Sequence, residues 1–312
     1  MNVFFLKRAI TTSLVCVLFW QCNPKLAEVF MYSTFHEPAD EGLRLAYSYD
    51  GITWTALDTT FLNPLVGGGK VMRDPSIVRD KEGTFHLVWT AGWRDDLGFG
   101  YASSKNLMEW SEQKFIPVME YDTSTVNVWA PELYYDEDED QFIVLWASTI
   151  PFKFEKGIEE ERNNHRMYYT VTKDFETFTE TQLFFDPGFS VIDAVIVKRG
   201  DHDFVLVLKD NTRPNRNLKV AFAENPLGPW SKVSEPFSGN FMEGPTVLRL
   251  ENEWFIFTDA YREKRFAVYS TDDFQHFEDV SSTFSIPEKH KHGTIFKADE
   301  EILDGLKKFA EK

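Results

Sequence analysis

Carboxylate and histidine side chains recur in this chain where a polar residue, usually beside Pro or Gly, opens an apolar strand. The five segments are Arg73-Asp74-Pro75, Trp129-Ala130-Pro131-Glu132, Val191-Ile192-Asp193, Met242-Glu243-Gly244-Pro245 and Lys291-His292-Gly293-Thr294. Any one segment alone is typical of a turn or a strand cap. Like charges held together in a partly dry site push their pKa values apart, which suits general acid and base catalysis. One carboxylic acid that protonates a leaving oxygen and one carboxylate that activates water can hydrolyse a glycosidic bond.

A second regularity indicates how the chain brings these segments together. An apolar stretch with Tyr or Phe, a polar turn and then Trp or Phe occur in this order five times. The copies span residues 45–57, 100–113, 168–181, 220–233 and 267–280. Strand-rich repeats of this size are typical of propeller blades. The sequence therefore predicts an all-β fold, a five-bladed β-propeller whose innermost strands surround one axis.

The polar segments open the strands that follow each repeat. Because strand directions alternate within a blade, the starts of the innermost strands and the loops between second and third strands share one face. No linker rich in Gly, Ser or Pro interrupts residues 28–300, which we interpret as a single propeller domain. Residues 301–312 predict a short C-terminal helix with one apolar face, formed by Ile302, Leu303, Leu306 and Phe309.

The composition excludes several classes of function. The chain has 312 residues, of which 16% are aromatic, enough for one large β domain with a full core. Its net charge of −17 repels phosphate backbones, so no nucleic acid is expected as a partner. The two cysteines, Cys16 and Cys22, precede the repeats, so no disulfide framework supports the blades. Neither a Gly-rich phosphate loop nor a His/Cys cluster with metal-ligand spacing occurs.

Residues 1–21 have the features of a lipoprotein signal peptide. Lys7 and Arg8 supply positive charge, and residues 9–20 form an apolar run too short to span a bilayer comfortably. Cys22 follows and is the expected lipidation site, although the two residues before it are larger than usual. We therefore expect an exported, membrane-anchored lipoprotein, periplasmic or at the cell surface, with no other membrane contact. Ordinary cleavage and an uncleaved anchor are the alternatives.

The ordered set of polar segments resembles the five-bladed propellers of glycoside hydrolase family 43, over essentially the whole mature chain. The resemblance implies that Asp74, in Arg-Asp-Pro, is the general base and that Glu243, in Glu-Gly-Pro, is the general acid. It implies that Asp193 orients the acid, although Ala194 stands where the family commonly has Pro. His292 resembles the axial histidine that lies beneath such sites near water or an ion. The resemblance thus allows Ca²⁺ at the axis, while no cofactor is required.

The same resemblance implies an inverting, exo-acting glycoside hydrolase that releases a terminal sugar from plant or microbial polysaccharide fragments. The expected sugar is α-L-arabinofuranose, with β-D-xylose and β-D-galactofuranose as alternatives. The expected partner is an oligosaccharide, and the expected oligomeric state is a monomer. A hypothesis of a different class is a non-catalytic glycan-binding lipoprotein of the same fold, against which the retention of three carboxylates argues.

Loop and strand-end residues on this face are candidates for substrate contact. Arginine presents a planar fork to sugar hydroxyls, and an aromatic ring presents a flat apolar platform to a sugar face. The candidates are Trp93, Trp129, Glu132, Arg213, Tyr261 and Arg265. Structural alternatives exist for the axial residues. Asp74 could cap a strand and pair with Arg73, Asp193 could be a structural acceptor, and Glu132 could bond neighbouring backbone. His292 is interpreted as a core residue or an axial water ligand rather than a catalyst.

Two other propeller families share features with the sequence. Retaining fructan-processing enzymes also use Arg-Asp-Pro, but they need a nucleophilic Asp in the first innermost strand, and residues 28–35 contain none. The segment Ser48-Tyr49-Asp50-Gly51-Ile52-Thr53-Trp54 resembles the Asp-box of sialidases. It is one residue short and faces away from the expected pocket, and five blades are too few for that fold.

Overall fold

The structure is a computed structural model that describes residues 28–311 as five antiparallel sheets and a terminal helix. The strands are β1 (Glu28–Thr34), β2 (Leu43–Ser48), β3 (Thr55–Leu62), β4 (Arg73–Arg79), β5 (Phe85–Thr90), β6 (Gly98–Ser104), β7 (Lys114–Pro117), β8 (Trp129–Asp136), β9 (Gln141–Ser148), β10 (Arg166–Thr172), β11 (Gln182–Phe185), β12 (Val191–Gly200), β13 (Asp203–Asp210), β14 (Asn217–Ala223), β15 (Met242–Leu250), β16 (Glu253–Ala260), β17 (Arg265–Thr271), β18 (Glu278–Asp279) and β19 (Ile295–Asp299). Single 3₁₀ turns occur at Glu161–Asn163 and Ser281–Thr283, and the helix α1 spans Glu300–Ala310.

The innermost strands of the five sheets form a closed ring. Four sheets are continuous in sequence, with strand orders β4–β7, β8–β11, β12–β14 and β15–β18, and the remaining sheet has the order β19-β1-β2-β3. Strands β4, β8, β12, β15 and β19 contact one another in turn, and β19 contacts β4. The predicted all-β, five-bladed propeller with a short C-terminal helix is therefore confirmed.

The ring is closed by strands from the two ends of the described chain. Strand β19 pairs with β1 from Glu28 opposite Asp299 to Tyr32 opposite Ile295. Consequently β1 is the second strand of its sheet, and the sequence-based interpretation of residues 28–35 as an innermost strand is wrong. The position at the axis belongs to β19 and to the His292-Gly293 segment before it. This segment contains no Asp, so the argument against a fructan-type nucleophile still applies.

Apolar side chains packed between adjacent sheets form the core. Trp89, Trp146, Phe99 and Phe257 have no exposed surface. Aromatic rings of this size bury more apolar area than any other side chains, and this burial is the main stabilising contribution to folding. It fixes the angular positions of the sheets and therefore the positions of the loops above the axis.

A repeated polar turn follows the third strand in four sheets. In each turn, an Asp or Asn side-chain oxygen accepts hydrogen bonds from the backbone N–H groups of the residues two and three positions later. This Asx-turn geometry gives the backbone N–H groups of the turn a hydrogen-bond partner within the chain. The aromatic residue of the repeat comes four positions after the turn residue. The turn residues are Asp50, Asn106, Asp174 and Asp273.

The sheet formed by β12, β13 and β14 has no fourth, outer strand. Three prolines interrupt residues 224–241, and proline cannot donate to a strand ladder. The hydroxyl groups of Ser231, Ser234 and Ser238 instead accept the backbone N–H groups on the outer edge of β14. The edge is thereby covered without a fourth strand.

The C-terminal helix begins one residue before the predicted boundary of 301 and ends at Ala310. Leu303 and Leu306 are fully buried against the sheet closed by β19. Acidic residues in the first turn and lysines in the last turn complement the helix dipole. Neither α1 nor the 3₁₀ turns of residues 28–311 has the length and apolar character needed to cross a bilayer. The predicted signal peptide and Cys22 lie outside the described residues.

Candidate active site

A β-bulge opens the innermost strand of four sheets. The register shifts between Arg73 and Ser76 in β4, and equivalent shifts occur in β8, β12 and β15. The residues in the left-handed conformation are Asp74 (φ 52°), Ala130 (φ 48°), Asp193 (φ 50°) and Gly244 (φ 55°). A bulge bends a strand and redirects its side chains, and such strain is concentrated at functional sites.

The bulges also correct the expectation that the carboxylates hold equivalent positions. Asp74 and Asp193 do occupy the same position of their strands. Glu243 lies one residue before the bulge residue of β15, and Glu132 lies two residues after that of β8. Glu243 is therefore displaced along the strand relative to the two aspartates, and Glu132 is displaced in the other direction.

Asp74 is held as an anion. One carboxylate oxygen lies 2.9 Å from His292 Nε2, and the other accepts a 2.7 Å hydrogen bond from the Thr90 hydroxyl. Burial alone raises the pKa of Asp74, but the hydrogen bond and charge of His292, the charge of Arg73 and the Thr90 hydroxyl outweigh it and lower the pKa to about 2. Asp74 is thus ionised across the neutral range.

His292 is buried between two carboxylates. Its Nε2 contacts Asp74, and its Nδ1 lies 3.6 Å from Asp259 Oδ2. Burial lowers the pKa of His292, but its contacts with Asp259 and Asp74 and their negative charges raise it well above its usual value. Lys291 donates a 2.9 Å hydrogen bond to Asp259. His292 is therefore a buried imidazolium that orients Asp74.

A buried lysine joins the other two acidic candidates. Lys209 Nζ lies 3.0 Å from Glu243 Oε2 and 3.9 Å from Asp193 Oδ2, and its side chain is only 3% exposed. Asp193 also accepts the backbone N–H of Gly244 at 3.1 Å. Burial raises the pKa of Asp193, and the charges of Glu243 and Asp74 add to this effect, while Lys209 and His292 oppose it.

Glu132 lies deeper along the axis than the other carboxylates. It lines a cavity of about 20 Å³ together with Asp74, Asp193 and His292. Burial raises the pKa of Glu132 to about 8, with hydrogen bonds from Ser76 and Thr294 partly opposing the shift. At neutral pH this pKa favours the protonated form of Glu132, so a substrate contact there would be made by a neutral carboxylic acid.

Aromatic rings form a platform beside Asp74. The Trp93 and Trp129 rings are 4.9 Å apart, and the Trp129 ring is stacked on His165 at 5.1 Å. Trp93 is 57% exposed, and the Arg73 guanidinium lies 5.0 Å from its ring centre. The structure thus places these two predicted contacts together, beside Arg73, the residue that precedes the proposed base, with much of the Trp93 side chain exposed.

The remaining predicted contacts divide into two groups. Tyr261 and Arg265 line the same cleft as Glu243, and the Tyr261 ring lies 5.3 Å from Lys209 Nζ. Arg213 instead binds the long loop between β9 and β10, where its backbone N–H and guanidinium contact Glu159. None of the contacts of Arg213 in the described structure involves a catalytic candidate, so its placement favours a structural role.

Three residues of the site were missed by the sequence analysis. Thr90, Lys209 and Asp259 all lie near the end of a second strand, each opposite the residue that precedes a bulge. The available signal was a polar side chain that ends or interrupts the apolar run of β5, β13 or β16. Aligning these strand ends between repeats would have revealed them.

The side chains that converge near the axis do not fit a calcium ion. Within residues 28–311, Glu243, Asp259 and His292 each offer one atom within 4.8 Å of the others. Calcium prefers six to eight oxygen ligands. Here one donor is a nitrogen, and both carboxylates already pair with lysine ammonium groups, from Lys209 and Lys291.

Comparison with known proteins identifies the family. A family model described as "Probable glycosyl hydrolase domain", from the group related to glycoside hydrolase family 43, matches residues 25–303. The chain belongs to this family. The resemblance to a family 43 propeller glycosidase is thereby confirmed.

The individual relatives have low sequence identity to this chain. An α-L-arabinofuranosidase of Bifidobacterium longum subsp. longum is 29% identical over 154 residues, which are 42% of this chain but only 14% of that protein. A thermostable family-43 glycoside hydrolase has a TM-score of 0.52 at 18% identity, over 71% of this chain and 75% of that chain. The Hadza microbial sialidase Hz136 has a TM-score of 0.55 at 15% identity, over 78% of this chain and 55% of that chain. These two structures show the shared fold.

Proposed function

We propose that this protein hydrolyses the glycosidic bond of a terminal sugar with inversion at the anomeric carbon. One observation carries the proposal: two carboxyl groups near the axis differ in how many of their oxygens are contacted. Asp74 is held as an anion by two donors, whereas Glu243 Oε1 has no hydrogen-bond partner among residues 28–311. An inverting glycosidase needs such a pair, one group to activate water and one to protonate the leaving oxygen.

Asp74 acts as the base. Each carboxylate oxygen has two lone pairs, so the contacts with His292 and Thr90 leave room for a water molecule. A carboxylate with a pKa of about 2 is a weak base. It accepts the proton because water becomes strongly acidic as it bonds to the oxocarbenium-like sugar in the transition state. The His292 imidazolium keeps Asp74 oriented throughout.

Glu243 acts as the acid. Lys209 holds Oε2, which fixes the side chain and leaves Oε1 to carry the proton. The side chain is 23% exposed, so a glycosidic oxygen can reach it. Asp193 accepts a hydrogen bond from the backbone N–H of Gly244, the residue after Glu243. This bond fixes the position of the acid relative to the ring of innermost strands.

Exo action is supported by the loop beside the aromatic platform. A long loop joins Ser148 to Arg166. The fully buried Arg166 donates hydrogen bonds to Asn164 and to the Glu155 carbonyl within this loop, and it pairs with Asp186 outside the loop. This loop contributes His165 to the stack with Trp129. A rigid wall on this side favours a pocket for one terminal sugar over an open channel. α-L-Arabinofuranose is the proposed sugar, supported by the activity named for the Bifidobacterium relative.

A panel of aryl glycosides tests the sugar and the activity together. Aryl α-L-arabinofuranoside, β-D-xyloside, β-D-galactofuranoside and sialoside substrates would be compared at neutral pH. Proton NMR of the first-formed product then tests inversion, because the proposal expects the opposite anomer to the substrate. Product with retained configuration would reject the roles given to Asp74 and Glu243. Absence of hydrolysis, together with glycan binding, would favour the non-catalytic alternative.

A further inference from the structure

A wide groove extends from the candidate active site between the β15–β18 sheet and the sheet closed by β19. Its volume is about 1240 Å³, above the roughly 300–1,000 Å³ usual for ligand sites. Its walls are the loop after β1, the facing ends of β16 and β17, and the segment 279–291 between β18 and β19. We refer to this feature as the 279–291 groove.

The groove begins on the acid side of the site. Glu243 and Asp259 line it, whereas Asp74 and Asp193 line the small axial cavity instead. In an inverting reaction, water and the leaving group lie on opposite faces of the anomeric carbon. Water is activated at Asp74, so the leaving group must lie on the side of Glu243, where the groove opens.

From this geometry we infer that the 279–291 groove binds the leaving-group part of the substrate, an oligosaccharide chain of several residues. The inference rests on the proposed function and extends it from the terminal sugar to the chain that carries it. A small leaving group would leave most of the groove empty, and its binding energy could not contribute to the transition state.

The lining of the groove suits a carbohydrate chain. Phe266, Phe284 and Ile286 are partly buried and present apolar surface. Hydroxyl and charged groups, including Ser282 and Arg265, lie among them. Sugar rings combine apolar faces with hydroxyl edges, so a mixed surface of this kind binds them better than a purely apolar one.

The test compares substrates that share a terminal sugar but differ in the leaving group. The probes are the 4-nitrophenyl glycoside and the di- to pentasaccharides of the sugar that the aryl panel identifies. For the natural chain, kcat/KM should rise about tenfold or more from disaccharide to tetrasaccharide as the groove fills. The Ser282→Trp variant blocks the groove and should abolish this rise, losing far more activity on the tetrasaccharide than on the aryl glycoside.

Thr283→Trp is the matched control. Thr283 is exposed in the same 3₁₀ turn but does not line the groove, so this variant should keep the rise with chain length. If kcat/KM does not depend on chain length, or Ser282→Trp lowers all substrates equally, the groove assignment is overturned while the glycosidase activity stands. If the natural chain hydrolyses no glycoside of the panel, the proposed function fails and the groove assignment fails with it.

Discussion

At the residue scale, the two oxygens of Glu243 have different surroundings, and this asymmetry makes its role testable. Glu243→Gln removes the proton donor but keeps the side-chain shape. Loss of a general acid costs about 10²–10⁴-fold in rate. The loss should be large for poorly acidic leaving groups and smaller for activated aryl groups, which depart without a proton. The measurement is kcat/KM across phenols of graded acidity.

Asp74→Asn provides the comparison for this series. Water must be activated whatever group leaves, so this variant should lose activity almost equally on every substrate. An equal loss across the phenol series for Glu243→Gln as well would show that Glu243 is not the acid.

Lys209 is a buried ammonium that pairs with Asp193 while Glu243 holds its proton, and with both groups once Glu243 is ionised. Removing one partner of a buried ion pair costs about 3–5 kcal/mol, because the other charge is left buried without compensation. We expect Lys209→Met to lower the free energy of unfolding by about this amount at pH 7, measured by urea denaturation. Lys198→Met is the control, because Lys198 pairs with the exposed Asp138 and should cost less than about 1 kcal/mol. Equal effects of the two variants would contradict the ion-pair assignment.

Glu132 gives a prediction about pH and stability. Its pKa is about 8 in the folded protein, above its value of about 4.3 in an unfolded chain. The folded state therefore binds more protons between these values, and stability falls as pH rises through this range. Glu132→Gln removes the titrating group, so its melting temperature relative to the natural chain should increase from about pH 5 to pH 8 and then level off. A difference that does not change with pH would show that Glu132 is already ionised at neutral pH.

At the element scale, the bulges that open the innermost strands decide where the catalytic side chains lie. Gly244 is in the left-handed conformation, and a Cβ there would lie 2.0 Å from the His292 ring. Gly244→Ala must therefore displace His292 and break its contact with Asp74. We expect at least a hundredfold loss of kcat/KM and a lower melting temperature.

Gly239→Ala is the matched control for this prediction. Gly239 lies shortly before β15, and a Cβ there would be no closer than 3.4 Å to a neighbouring atom, at the end of a flexible Met242 side chain. This variant should retain nearly full activity. If Gly244→Ala were equally active, the His292–Asp74 contact would not be needed for the reaction.

The bulges also explain which elements the sequence could predict. The strands and turns follow from local patterns, since apolar runs separated by Asx turns such as that at Asp174 recur at a regular spacing. The starts of the innermost strands were recognisable from Asp-Pro and Gly-Pro. The one-residue displacement of Glu243 was not, because a bulge depends on pairing with the next strand rather than on local sequence. Lys209 was missed for the same reason, since its partners come from other strands.

At the scale of the whole molecule, the number of blades could be predicted but the closure of the ring could not. Five repeats gave five sheets, because each repeat supplies a unit that must be buried against its neighbours. The pairing of β19 with β1 joins residues at opposite ends of the described chain. No local pattern indicates such a contact, so β1 was assigned to the wrong position in its sheet.

This closure leads to a prediction about the two ends of the fold. A chain ending at Asp299 loses only α1 and the burial of Leu303 and Leu306, which stabilise by about 1.5–3 kcal/mol each. A chain ending at Thr294 also loses β19, which exposes the edge of β1 and opens the ring next to His292. The first truncation should unfold cooperatively at a lower temperature and keep its activity. The second should show no cooperative transition in circular dichroism and no activity, because Asp74 is oriented only when the ring is closed. Cooperative unfolding and activity in the chain ending at Thr294 would show that the fold and the site do not need the innermost strand β19.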